Sequence, residues 1–339
     1  MRPLTTDLKD IVESVQIRSA GSFSIAGEAF EDPSRDSDLA ALPARLAEAL
    51  YQRKYCRPDR RGSSSAPDTR AARMFVDDLS SANSGGGTWQ SGWVVDRLDT
   101  DGRLVVRNER DDLTVWARPE QFRSADGDMS PGATGRLQVG KELREMLPGY
   151  YAMLGNTAEA SYADPSRNGV VRFYWHLTAD VASIWTRELT RRFNAAGVGF
   201  HAKVHNDPNA YFRADSGVLY VGRADAAGAM ALLPQLHAAV APRMRATIPM
   251  FTKRLARGLA LAEDPGDGRS FGQHRCQLLA EGLVRAFEAG RSTPAGMADS
   301  IAGRFTEDGL DIGKPWLNAG SRDVYVWPRR TPSRRLATE

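Results

Sequence analysis

Cysteine is almost missing from this chain. Its two residues, Cys56 and Cys276, lie far apart and fit no metal-ligand spacing. They read as free thiols of a reducing compartment, not as a disulfide or a metal site. Long apolar runs are missing as well. None approaches the ~18 residues that a membrane helix needs, and residues 1–17 carry no apolar h-region of a signal peptide. Both absences predict a cytoplasmic protein without a membrane partner. Charge of one sign is not in excess. Lys and Arg number 45 against 42 Asp and Glu, a net charge of +3, which gives no case for nucleic acid. Local basic clusters remain able to bind phosphate, and the basic end at 331–339, with Arg329 and Arg330 before it, reads as a solvated tail.

Familiar catalytic signatures are absent too. Gly85-Gly86-Gly87 has no following Lys-Ser/Thr, so there is no P-loop. The chain has no His-Glu-x-x-His and no Gly-x-Ser-x-Gly elbow. His176-Leu177-Thr178 fits one half of a two-histidine phosphoesterase pattern, but no second copy exists. No kinase loop set and no solenoid repeat is present.

What is present is a globular composition, 42% hydrophobic and 26% charged over 339 residues, enough for one large domain or two ordinary ones. After Ser37 and Asp38, Leu39, Leu42, Leu46 and Leu50 recur at helical spacing. Residues 57–72 and 80–87 have loop composition. A three-stranded β-meander is predicted around 93–95, 104–106 and 113–116, with turns at Asp99–Gly102 and Arg110–Asp112. Further on, strands are predicted at Val170–Leu177 and Phe200–His205, with one or two more inside Tyr211–Val221. Helices are predicted at Asp180–Ala196, stopped by Gly197, and at Ala226–Val240, Gln273–Ala289 and Pro294–Phe305. This order predicts an α+β fold, an antiparallel or mixed sheet backed by helices. It divides into a smaller helix-plus-meander region at 1–147 and a second region at 148–330.

Strands show alternate residues to opposite faces. Val171, Phe173, Trp175 and Leu177 make an apolar face, and Arg172, Tyr174 and His176 a polar one. Phe200, Ala202 and Val204 oppose His201, Lys203 and His205, while Tyr211, Arg213 and Asp215 share a face. If the strands are neighbours, the polar faces merge into a wall suited to a phosphoryl group. The same alternation also describes an ordinary half-exposed sheet.

Several stretches together carry a family resemblance: Val171 to Trp175 (VRFYW), Phe200 to Val204 (FHAKV), Tyr211 to Val221 (YFRADSGVLYV), Leu259 to Pro265 (LALAEDP) and Ser270 to Cys276 (SFGQHRC). In order and spacing, from about Pro148 to Tyr325, the chain resembles the HopPsyA-type effector family. That family includes lyases that work beside aminoglycoside-phosphotransferase-like kinases in class V lanthipeptide and thioviridamide-like pathways. The resemblance implies a partner kinase and a phosphorylated precursor peptide as substrate. It implies elimination of phosphate from phosphoserine or phosphothreonine to give dehydroalanine or dehydrobutyrine. Its effector branch implies the alternatives of a non-catalytic phosphopeptide-, leader- or kinase-binding module, or a type III effector-like protein.

Phosphate elimination requires a base for the Cα proton, neutralisation of the leaving group and support for the developing enolate oxygen. On the lyase reading, Lys203 is the base. His176 is the first choice of acid, with His201 and His274 as alternatives. Arg213 and Arg275 are the phosphate clamps, with Arg172 and Lys253 next, and Asp215 orients Arg213 or Lys203. Tyr211 and Tyr174 line the pocket or donate to the amide oxygen. This chemistry requires neither a metal nor an organic cofactor. The N-terminal region is expected to dock the kinase or the leader.

Overall fold

The computed structural model describes residues 5–32, 39–56, 69–108, 114–144, 148–157 and 169–327. The basic tail and the turn at Arg110–Asp112 lie outside the described residues.

The fold is α+β. Its centre is a seven-stranded sheet in which every pairing is antiparallel, so the mixed alternative falls away. We number the described strands in chain order: β1 Val15–Ser19, β2 Ser22–Ile25, β3 Glu28–Glu31, β4 Thr88–Leu98, β5 Leu104–Asn108, β6 Thr114–Ala117, β7 Phe122–Ser124, β8 Thr134–Val139, β9 Glu142–Leu143, β10 Tyr150–Leu154, β11 Val170–Trp175, β12 His201–His205, β13 Gly217–Gly222, β14 Lys253–Ala256 and β15 Leu259–Glu263. The described helices are α1 Thr6–Ser14, α2 Leu42–Leu50, α3 Thr69–Ala82, α4 Ala179–Ala195, α5 Ala226–Val240, α6 Phe271–Glu288 and α7 Pro294–Glu307. The large sheet runs β14-β15-β11-β13-β12-β10-β9.

Alternation in the strands separates two cores. One face buries Val171, Phe173, Trp175, Ala202, Val204 and Leu219 against α3, α4 and α5. On the other face, Tyr174, Val218 and Ala262 pack against α1, α2, α6 and α7. Residues 8–56 and 250–310 thus share one apolar cluster, although they lie at opposite ends of the chain. The β-meander is part of a separate five-stranded sheet, β6-β5-β4-β8-β7, with its own small core around Trp93, Val106, Phe122 and Leu137.

The helix ends follow their capping residues. Ser270 and Gln273 form a reciprocal capping box at the start of α6. Thr293 caps α7, with Pro294 in its first turn. Gly197, at φ +66°, ends α4 in a conformation that costs other residues a steric penalty.

Three local expectations are corrected. The loop readings at 57–72 and 80–87 overlap the two ends of α3, whose Phe75, Val76 and Leu79 pack into the sheet core, so tertiary burial overrides a polar composition there; residues 57–68 lie outside the described residues, and 83–87 form no helix or strand. Tyr211–Asp215 is a turn, and the strand begins at Gly217. The hairpin strands β1–β3, unforeseen, reverse at Gly21 and at Ala26-Gly27, both of the latter pair with positive φ.

Candidate active site

Register brings the polar residues of three strands into adjacent rows. Arg172 pairs across β13 with Tyr220, which pairs with His201 on β12. Tyr174 pairs with Val218, which pairs with Lys203, and Lys203 pairs with Ala152 on β10. His205 pairs with Tyr150. The polar residues of β11 and β12 thus lie on one face with Tyr220 of β13 between them, while the third predicted strand, Tyr211–Asp215, is a turn.

The turn after β12 adds Arg213 and Asp215. Arg213 donates through Nε and Nη2 to the two carboxylate oxygens of Asp215, each at 2.9 Å, a bidentate fork. Nη2 also donates to Tyr51 Oη at 3.2 Å. Tyr51 comes from a single π-helical turn, Tyr51–Tyr55, that follows α2. Arg172 donates to Asp264 through Nε at 2.6 Å, and its guanidinium lies 5.3 Å from the Tyr220 ring centre.

Lys203 is different from both arginines. Its Nζ sits 4.2 Å from the Tyr150 ring centre and 5.9 Å from that of Tyr220. Among the described residues it makes no hydrogen bond and no ion pair. Burial lowers its pKa below the ordinary 10.5, and the charges of Arg172 and Arg213 add to that effect against Tyr150 and Asp215. Burial alone would raise the Asp215 carboxyl. The Arg213 fork outweighs it and holds the group below its ordinary value. The Tyr150 hydroxyl is pushed up, chiefly by burial, and keeps its proton at neutral pH. Lys203, Arg172, Arg213, Tyr51, Tyr150 and Tyr220 are all half-buried, so the cluster retains contact with solvent.

The other predicted residues are placed as follows. Tyr174 is buried beside Tyr55 and Phe271. Tyr211 is buried and donates its hydroxyl to the His205 carbonyl at 2.9 Å, which fixes the turn. His201 shares the Lys203 face, and burial pushes it down to about 4. His176 follows β11, where its Nδ1 lies 2.8 Å from Thr247 Oγ1. Arg275 turns inward from α6. It is 1% exposed and donates to the carbonyls of Pro315 at 2.9 Å and Leu317 at 3.0 Å. His274 lies 2.8 Å from Arg275 Nη1, and burial together with Arg275 brings it to about 4. Lys253 pairs with Leu261, a residue of the apolar face, and binds Asp323 Oδ1 and the Tyr325 carbonyl, each at 2.6 Å. Arg275 and Lys253 thus clasp the segment 315–325, and their donors are not presented to the cluster.

Sequence reasoning missed Tyr51 and Tyr150, and it placed His205 on the polar face without giving it a role. His205 stacks on Tyr150 at 4.8 Å, and burial brings it to about 4, with Asp215, Arg213 and Lys203 among its electrostatic neighbours. Tyr51 had no signal in the sequence.

A family model described as the HopA1 effector protein family matches residues 143–317. No curated protein matches the chain. Similar solved structures include two bacterial effectors. One is an effector protein from Pseudomonas syringae pv. tomato strain DC3000, with 17% identity and a TM-score of 0.46, covering 83% of this chain and 100% of that one. The other is an effector protein from Pseudomonas syringae pv. syringae strain 61, with 16% identity and a TM-score of 0.45, covering 83% of this chain and 97% of that one. The matched span contains the seven-stranded sheet from within β9 onward and the turn with Arg213 and Asp215, but not Tyr51.

Proposed function

This chain belongs to the HopA1 effector protein family, and we propose that it is a phosphoserine/phosphothreonine lyase acting on a kinase-phosphorylated precursor peptide. The observation that carries the proposal is Lys203. It is a half-buried amine over two tyrosine rings, without a hydrogen-bonding partner among the described residues, beside two arginines that are each held by a carboxylate. Burial and like charge favour the neutral amine, which is the form a base requires.

In the proposed reaction, neutral Lys203 takes the Cα proton of the phosphorylated residue. The C–H electron pair becomes the Cα=Cβ double bond. The Cβ–O bond breaks, and its electron pair leaves with phosphate. The products are a dehydroamino acid, phosphate and the Lys203 ammonium, which returns its proton to solvent. Arg213 and Arg172 neutralise the leaving phosphate, and Asp215 holds Arg213 in orientation. The protonated Tyr150 hydroxyl is the donor we assign to the developing amide oxygenate. No histidine is assigned as the acid, since burial keeps His201 and His205 uncharged, and His176, the first choice from sequence, is buried with its Nδ1 engaged by Thr247. A kinase of the aminoglycoside-phosphotransferase type would supply the phosphorylated peptide.

The test is mass spectrometry of phosphoserine and phosphothreonine peptides incubated with purified protein. Loss of phosphoric acid is expected, with no change in the unphosphorylated peptides. Lys203→Ala should slow elimination by roughly 10²–10⁴ while leaving the circular dichroism spectrum unchanged. Lys203→Arg should fail to restore the rate, because guanidinium stays protonated. If Lys203→Arg keeps most of the activity, Lys203 is a phosphate ligand and not the base. Phosphopeptide binding without any elimination would make the protein a binding module.

A further inference from the structure

Tyr51 stands outside the span that matches the family model, yet its hydroxyl and ring both meet Arg213. The hydroxyl accepts from Nη2 at 3.2 Å, and the guanidinium lies 5.6 Å from the ring centre. Asp215 takes the Nε–Nη2 edge of Arg213, but it sits only two residues away on the same turn. That fork fixes the guanidinium relative to its own turn and to nothing else. Tyr51 is 162 residues distant, so its contact fixes Arg213 relative to the body of the protein.

The junction around Tyr51 is built for this. The Ala214 N–H donates to the Cys56 carbonyl at 2.8 Å, and the Met250 N–H to the Tyr55 carbonyl at 3.1 Å. Tyr51 and Tyr55 stack with ring centres 5.3 Å apart. Tyr55 in turn lies so close to Gly272 on α6 that a Cβ there would come within 2.4 Å of its ring. Only glycine admits that approach. Tyr51 opens a π-helical turn, and such insertions recur at functional sites.

We infer that the N-terminal segment completes the site, with Tyr51 as the positioning residue for Arg213. The inference rests on the proposed phosphate site, since its consequence is the placement of a phosphate clamp. Burial pushes the Tyr51 hydroxyl well above its ordinary range, so it remains a neutral partner for the guanidinium at every working pH.

The test is a double-mutant cycle read by calorimetric affinity for a phosphoserine peptide, with melting temperature as the folding control. Tyr51→Phe keeps the ring and removes the hydroxyl. It should weaken binding roughly three- to tenfold, the scale of one modest hydrogen bond, and Tyr51→Ala should weaken it further. In an Arg213→Met/Asp215→Asn background, which removes the fork as a pair and strands no buried charge, Tyr51→Phe should have no further effect. An equal loss in both backgrounds overturns the inference, because Tyr51 then does not act through Arg213. So does unchanged affinity in Tyr51→Phe. If wild type binds the phosphopeptide but never eliminates phosphate, the lyase proposal fails and the cycle still scores Tyr51. If wild type binds no phosphopeptide, the positioning role falls together with the phosphate site. Gly272→Ala, which touches no polar group of the cluster, should reproduce the Tyr51→Ala binding defect by displacing Tyr55; wild-type affinity in a folded Gly272→Ala protein would also overturn the inference.

Discussion

The two faces of the seven-stranded sheet are made by the same strands, residue by alternate residue, and they obey different rules. On one face Val171, Phe173, Trp175, Val204 and Leu219 are each fully buried, and Trp175 meets Trp185 edge-on at 5.9 Å. On the other, Arg172, His201, Lys203 and Tyr220 keep part of their surface in contact with solvent. The first face gains from close packing, where any lost atom is felt. The second places three cations among rings and two carboxylates, the inventory on which the proposed phosphate chemistry rests. Period-two alternation lets a single strand such as β11 serve both purposes without compromise.

The comparison is broken most severely from the apolar side. Phe173→Ala should destabilise the protein by about 3–5 kcal/mol, because the removed ring leaves a cavity in a core without slack. Urea denaturation of the variant measures the loss. Under conditions where it remains folded, its affinity for phosphopeptide should match wild type, since Phe173 points away from the cluster. A variant that binds tenfold worse while fully folded would show that the two faces are coupled.

A finer division separates two arginines that look alike in sequence. Arg275→Ala should cost stability, roughly 2–3 kcal/mol, because it strips charged hydrogen bonds from the buried carbonyls of Pro315 and Leu317. Phosphopeptide affinity should not change beyond that. Arg213→Lys keeps the charge near Asp215 but loses the planar fork. It should weaken phosphopeptide binding by about 1.5–3 kcal/mol and barely shift the melting temperature. The reverse assignment, with Arg275 controlling affinity, would move the phosphate site to the α6 terminus.

These two arginines also mark what a sequence can disclose. Alternation placed Arg172 and Lys203 on polar faces, because strand geometry is local and a period of two is visible over six residues. Capping made the start of α6 legible at Ser270 and Gln273. Whether a cation on such an element meets a carboxylate, a carbonyl or solvent depends on what a distant segment brings. Arg275 and Lys253 met the segment 315–325, so their local promise as clamps was not matched by the geometry. Arg213 and Asp215 came together although their segment is a turn and not a strand, since the fork between them requires only nearness along the chain. Tyr51 was illegible because no spacing rule connects it with residue 213. The helix α3 was hidden by a polar composition that only its packing partner resolves.

The smallest expected effect is the one that distinguishes the faces in sign. Removing a buried side chain from the apolar face destabilises; removing Lys203 should do the opposite. Its ammonium is half-buried without a hydrogen bond among the described residues, and Arg172 and Arg213 repel it. Lys203→Met keeps the chain length, still covers the Tyr150 ring, and removes the charge. At pH 7 it should stabilise the protein by about 1 kcal/mol, in the range common when a functional residue is exchanged for a better-packing one, while elimination is lost. The sign follows from linkage. The folded pKa of Lys203 lies below the ordinary 10.5 of the unfolded chain, so the folded state binds this proton less tightly. The resulting penalty is complete below the folded pKa and fades as pH rises toward 10.5. The advantage of Lys203→Met should therefore be largest near neutrality and shrink steadily in alkaline buffer, which paired urea titrations at pH 7 and pH 10 would measure. A variant less stable than wild type at pH 7 would mean that the contact with Tyr150, at 4.2 Å, stabilises more than burial costs. The polar face would then be held together by its cation, and the reading of Lys203 as a base whose pKa the fold depresses would fall.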